Sequence, residues 1–187
     1  GYFKDTDTET IPAKNREQIP GGAIATKNML LYPLQRDYYM GFCGYVWNKL
    51  YSADTVRANR LRFDEKIKYG MDILFYYTLV LSGKCTGVYT DKPLYHYLQR
   101  DAAISKSKEL SVKADILIVY KKVEELLNEN GYSSISYWAR GFYCHHASVI
   151  AEIVRKEIKS HLDDYAETNK EFPEKFERMR EVLNGWA

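Results

Sequence analysis

Tyr69-Gly70-Met71-Asp72-Ile73-Leu74-Phe75-Tyr76-Tyr77-Thr78-Leu79-Val80-Leu81 is the stretch whose reading decides the fold. Beyond Asp72 it is almost continuously apolar, and Gly83 follows as a stop. Periodicity alone fits a buried helix or a buried strand. Its length, and an acidic residue at its start where a helix dipole favours negative charge, select a helix over 72–81. The run from Ile73 to Leu81 is also the longest apolar one, far short of the ~20 residues that span a bilayer. No membrane span is expected.

On the N-terminal side of this stretch the chain breaks into short pieces. Residues 4–22 are polar and turn-rich, with Pro12, Pro20 and Gly21-Gly22, and read as an extended loop. Thr26 is placed to cap a short helix carrying Met29, Leu30 and Leu34, limited by Pro33. Tyr45 to Tyr51 forms an aromatic-apolar block, and Ser52-Ala53-Asp54 reads as the cap and first turn of a further helix. On the C-terminal side, Val88-Tyr89 and Leu94 to Tyr97 read as short strands around the turn Asp91-Lys92-Pro93.

Past residue 104 the character changes to long helical patterns. From Leu110 to Leu127, the residues Ile116, Val119, Val123 and Leu126-Leu127 recur at helical spacing, and Asn130-Gly131 makes a left-handed stop. Ser136 to Ile158 is a second helix, with Trp138, Phe142, His145-His146, Val149-Ile150 and Ile153 on or near one stripe. Phe172 to Leu183 is a third, entered through Pro173. The expected fold is α+β and mostly helical: residues 1–104 with short strands and helices, then 105–187 as a helical bundle.

Composition narrows the function classes. With 45% hydrophobic and 28% charged residues, the 187-residue chain can bury a core, which excludes a disordered or collagen-like polymer. A net charge of +2 supplies no field for nucleic acid, and the basic residues among tyrosines at 57–69 are offset by Asp64 and Glu65. Cys43, Cys85 and Cys144 form no CxxC or CxxH pair and read as reduced thiols. The chain opens Gly1-Tyr2-Phe3-Lys4, with neither an initiator Met nor a signal-peptide core. It is therefore either trimmed of a tag or an internal piece of something longer.

Asp5-Thr6-Asp7 is a literal DxD, a spacing that can hold a divalent metal between nucleotide phosphates. Only four residues precede it and polar loop follows, so it is read as a solvated turn. His145 and His146 point different ways on a helix and make no metal pair. No metal site is expected on this chain.

Four blocks follow one another in a fixed order: Trp47-Asn48-Lys49-Leu50-Tyr51, Leu61-Arg62-Phe63-Asp64, Tyr69 to Phe75, and Pro93-Leu94-Tyr95-His96-Tyr97-Leu98-Gln99-Arg100 with Ile104-Ser105. Over about residues 44–105 this order resembles the C-terminal part of bacterial family-two glycosyltransferases of the GT-A fold. The resemblance implies an acceptor-side half of a GT-A domain, whose donor-binding half would precede it. Asp72 falls where that family carries a general base for the acceptor hydroxyl, a role a carboxylate suits in inverting transfer; it would also serve as an N-cap. Met71 stands where the family usually has a first acid. Trp47, Asn48 and Lys49 match an acceptor-binding block, in which Trp stacks on sugar and Asn bonds hydroxyls; alternatively Trp47 is core, and Asn48 and Lys49 fix a turn. Arg100 matches a basic residue near the leaving diphosphate; alternatively it is a surface salt-bridge partner. His96 is grouped with the substrate-side set and matches a His downstream of the base that some GT-A enzymes use as a metal ligand; alternatively it is an ordinary packed or hydrogen-bonded strand residue.

The whole enzyme implied is cytoplasmic, working at the inner membrane face with peripheral contact. It would move sugar from a nucleotide donor to a glycan or lipid-linked acceptor, with magnesium or manganese bridging the donor phosphates. The chain alone is expected to be inactive, to bind no metal and to self-associate through uncovered edges. The alternative is a non-catalytic glycan- or protein-binding module with a helical bundle.

Overall fold

The structure, a computed structural model, describes residues 2–5, 10–13, 17–36, 38–39, 42, 44–82, 86–90, 92, 94–98 and 110–161. They form an α+β arrangement that is mostly helical. Elements run β1 (Tyr2–Asp5), β2 (Thr10–Ala13), β3 (Gly22–Ile24), α1 (Thr26–Leu31), a 3₁₀ turn (Tyr32–Leu34) and α2 (Ala53–Ala58). Next come α3 (Met71–Leu81), β4 (Gly87–Tyr89), β5 (His96–Leu98), α4 (Leu110–Glu129) and α5 (Ser133–His161).

The decisive stretch is a helix, as its length and acidic start predict. Its cap is Gly70, not Asp72. Gly70 has φ 82°, and a Cβ there would meet Ile116 Cδ1 at 2.7 Å and Val119 Cγ2 at 3.3 Å. Glycine is thus needed twice at this point, for the left-handed backbone and for the close approach of α4. Ile73, Phe75, Tyr76, Tyr77, Leu79 and Val80 are buried around most of the circumference of α3, the pattern of a core helix.

Two tyrosines of α3 solve a problem posed by Pro33. In a continuing helix residue 33 would donate to Met29, but proline has no N–H. Tyr76 donates its hydroxyl to the Met29 carbonyl at 2.8 Å, and Tyr77 donates to the Leu30 carbonyl at 2.9 Å. The junction between α1 and the 3₁₀ turn is held from across the core. Thr26 is the first residue of α1, not its cap; the cap position is Ala25, which makes no side-chain bond. Ser52 does cap α2, its hydroxyl accepting from Thr55 N at 3.3 Å.

α4 and α5 are antiparallel, since their contacts run in opposite order. Ser136 donates to Asn128, Arg140 bonds Glu124, and Phe142 and His146 stack on Tyr120. The turn between the helices uses Gly131 at φ 81°, with Tyr132 N donating to Leu127 O at 2.8 Å. On α5 the inward stripe is Ile135, Ala139, Tyr143, Ile150 and Val154, flanked by half-buried Phe142, His146 and Ile153. Trp138 and Val149, expected on that stripe, are exposed, and so is His145. The third expected helix, 172–183, lies outside the described residues, as does the boundary at 104.

One hydrophobic cluster joins α1, α3, α4 and α5, from Met29 to Val154. The segment 61–68 is fastened onto α4 by polar bonds: Lys122 Nζ donates to Asp64 at 2.8 Å, and Lys68 N donates to buried Asp115 at 2.7 Å. Phe63 stacks on Phe75 at 4.6 Å.

The strands correct the loop reading of residues 4–22. β1 pairs antiparallel with β2 and parallel with β5, and β3 pairs antiparallel with β4. Pro12 is tolerated because β2 is an edge strand. β5 begins at His96, later than the expected Leu94. Asp5 ends β1 opposite Thr10; the rest of the DxD lies outside the described residues.

Candidate functional site

The site is assembled from the loop before α2, the first turn of α3, and β5. Trp47 is the hub of the loop. Its ring stacks on Tyr97 with centroids 4.6 Å apart and planes 11° apart, on Tyr95 at 5.4 Å, and on Tyr45 at 5.2 Å. Tyr97 lies in β5 and Tyr95 just before it, and both stack on Trp47. Strand alternation places His96 on the face of β5 opposite Tyr97, where it is exposed.

Asn48 has φ 61°, a left-handed conformation that Asn accepts more readily than most residues. This reverses the chain between Trp47 and Lys49. The Trp47 ring goes to the β5 side, and Lys49 goes back over the core. Lys49 Nζ donates to the Tyr45 carbonyl at 2.8 Å. It stands 5.2 Å from the Tyr76 ring centroid and 5.9 Å from that of Phe42. Asn48 and Lys49 are thus turn and anchor residues of the block, whatever else they contact.

Asp72 is the second residue of α3 and half-buried. Burial pushes its carboxyl above its ordinary value. The amides of Ile73 and Asp72 and the charge of Lys49 pull the other way, with Ile73 N donating to Oδ1 at 3.0 Å. A carboxylate partly stripped of water and lifted toward neutrality is suited to taking a proton.

Behind this turn lies a narrow cleft lined by Pro33, Leu34, Arg36, Gly44, Tyr45, Ile73, Tyr77 and Tyr120, with about 10 Å³ of free space. That is room for roughly one water molecule and none for a sugar ring. Tyr120 rises from α4 into the cleft wall, its hydroxyl pushed upward by burial. Arg36 sits 5.8 Å from the Tyr45 ring centroid.

Among the sequence-predicted residues, Trp47, Asn48 and Lys49 are consecutive in the loop, and Lys49 couples electrostatically to Asp72. His96 is turned away from the stack, and Arg100 lies outside the described residues. Sequence reasoning passed over Tyr45, Tyr95 and Tyr97. The i, i+2 spacing of Tyr95 and Tyr97 on a strand was the available signal. Tyr120 carried no signal beyond helical periodicity. Among the described residues no three His, Cys, Asp or Glu side chains converge on a metal-sized site, and no helix is long and apolar enough to cross a membrane. Comparisons with protein-family models, with curated proteins and with solved structures found no match.

Proposed function

We propose that this chain is the acceptor-side part of a GT-A glycosyltransferase of family-two type. Asp72 is the base that takes the proton of an acceptor hydroxyl as it attacks the anomeric carbon of a nucleotide sugar. The nucleoside diphosphate leaves with the electron pair of the broken glycosyl bond. The observation that carries the reading is a half-buried carboxylate, Asp72, linked through Lys49 to the loop whose Trp47 stacks on tyrosines. The carboxylate supplies the proton acceptor, and flat aromatic faces suit the apolar face of a sugar ring. The resemblance of residues 44–105 to that family points the same way.

The test is sugar transfer by the protein from the complete reading frame, wild type against Asp72→Asn. Loss of about 10²-fold or more is expected from removal of a general base. Retained turnover with an unchanged fold excludes Asp72. A second reading, a non-catalytic glycan-binding module, is favoured by the aromatic stack taken alone. It predicts that Trp47→Ala abolishes oligosaccharide binding, read by tryptophan fluorescence, while Asp72→Asn changes nothing.

A further inference from the structure

The placement of Lys49 bears on how Asp72 is held. Its ammonium is fixed on three sides, by the Tyr45 carbonyl at 2.8 Å and by the rings of Tyr76 and Phe42. Tyr76 follows Asp72 by one turn of α3, and residues four apart on a helix are neighbours on one face. An ammonium over the Tyr76 ring therefore stands over the face that carries Asp72. A lysine held by a carbonyl and two rings is anchored to the loop and the core. It is a good fixed charge. We propose that Lys49 is a positioning residue for Asp72: clamped by the Tyr45 carbonyl and the Tyr76 and Phe42 rings, its ammonium is a fixed positive charge over the helix face that carries Asp72 and favours the carboxylate there.

The surrounding groups agree with that role. From the loop, Lys49 is the cation that acts on Asp72; from α4, Tyr120 interacts with it; from α3 itself, the amides of Asp72 and Ile73 face it. Arg36 acts on Tyr120 beyond the cleft. The proposal rests on Asp72 being the base, yet its test does not need turnover.

The experiment follows the Asp72 side-chain carboxyl carbon by NMR through a pH titration of this chain, with the signal assigned by its loss in Asp72→Asn. In Lys49→Met, a neutral chain of similar length, the midpoint is expected to rise by about one unit, the scale for loss of a nearby opposite charge. In Lys49→Arg, which keeps the charge, it should remain near the wild-type value. An unmoved midpoint in a folded Lys49→Met overturns the proposal. So does an equal rise in both variants, which would mean that Lys49 acts by packing alone. If Lys49→Met fails to fold, Lys49→Gln is read by the same two criteria. A rise in Lys49→Met together with full turnover of Asp72→Asn would leave the coupling standing and remove the general-base reading instead.

Discussion

The helical core and the strand side of this molecule are held together by different means. In the core, Leu30, Leu117, Val119, Val123 and Leu127 are wholly buried, and the hydroxyls of Tyr76 and Tyr77 satisfy carbonyls that Pro33 helps to strand. On the strand side, strands of three or four residues pair at their edges, and Leu50, Val88, Leu94 and Leu98 face solvent. The aromatic stack around Trp47 lies between the two. Where burial is complete, residues are fixed by packing. Where it is partial, large side chains remain available to a ligand, which is the condition a binding site needs.

That contrast can be broken by mutation. Leu117→Ala should cost about 3 kcal/mol, the usual scale for a buried leucine, seen as a lower urea midpoint with an unchanged slope. A loss under about 1 kcal/mol would mean that the core is looser than described. Tyr77→Phe should cost about 1–2 kcal/mol, because it leaves the buried Leu30 carbonyl without its donor while sparing the ring.

The pH dependence sharpens the comparison at one point. Burial first, then His145 and Arg36, pushes His146 down to about 4. An unfolded histidine takes its proton near 6.5, so between about 6.5 and about 4 the unfolded state binds more protons. Stability should fall as pH drops through that window. His146→Phe, which keeps a ring against Tyr120, should flatten this part of the profile of urea midpoint against pH. The smallest effect is expected at the strand side: Leu50→Ser should lie within about 0.5 kcal/mol of wild type in the same assay, since the side chain is fully exposed.

The parts of the fold legible in the sequence are those whose information is local. The helix at 71–81, the pair α4 and α5, and the Ser52 cap all followed from spacing and caps within a few residues. β1, β2 and β3 did not, because each is too short for a period. Their partners lie elsewhere: β5 for β1, β4 for β3. Pro12 and Gly21-Gly22 spoke for loop, and only the edge position of β2 explains why Pro12 is accepted. Trp138 and Val149 were assigned inward because a stripe of 3.6 period drifts over a helix as long as 133–161, and the neighbouring register through Ala139 and Tyr143 faces α4 instead.

The candidate site was half legible. Asp72 and Trp47-Asn48-Lys49 stood out as blocks. The desolvation of Asp72, the inward aim of Lys49 and the turning away of His96 depend on how α3, the loop and β5 meet. No window of sequence contains that meeting.

The parallel pairing of Phe3 with His96 makes everything between them a single closed loop. Closing so long a loop is entropically slow, and parallel pairs bring no local turn to help. The α4–α5 hairpin, closed by the turn at Gly131, forms from neighbours in the chain. The α4–α5 hairpin should therefore form early, and β1 waits for β5 before it has a parallel partner. Amides of β1 and β5 should then gain hydrogen-exchange protection last, after those of α4.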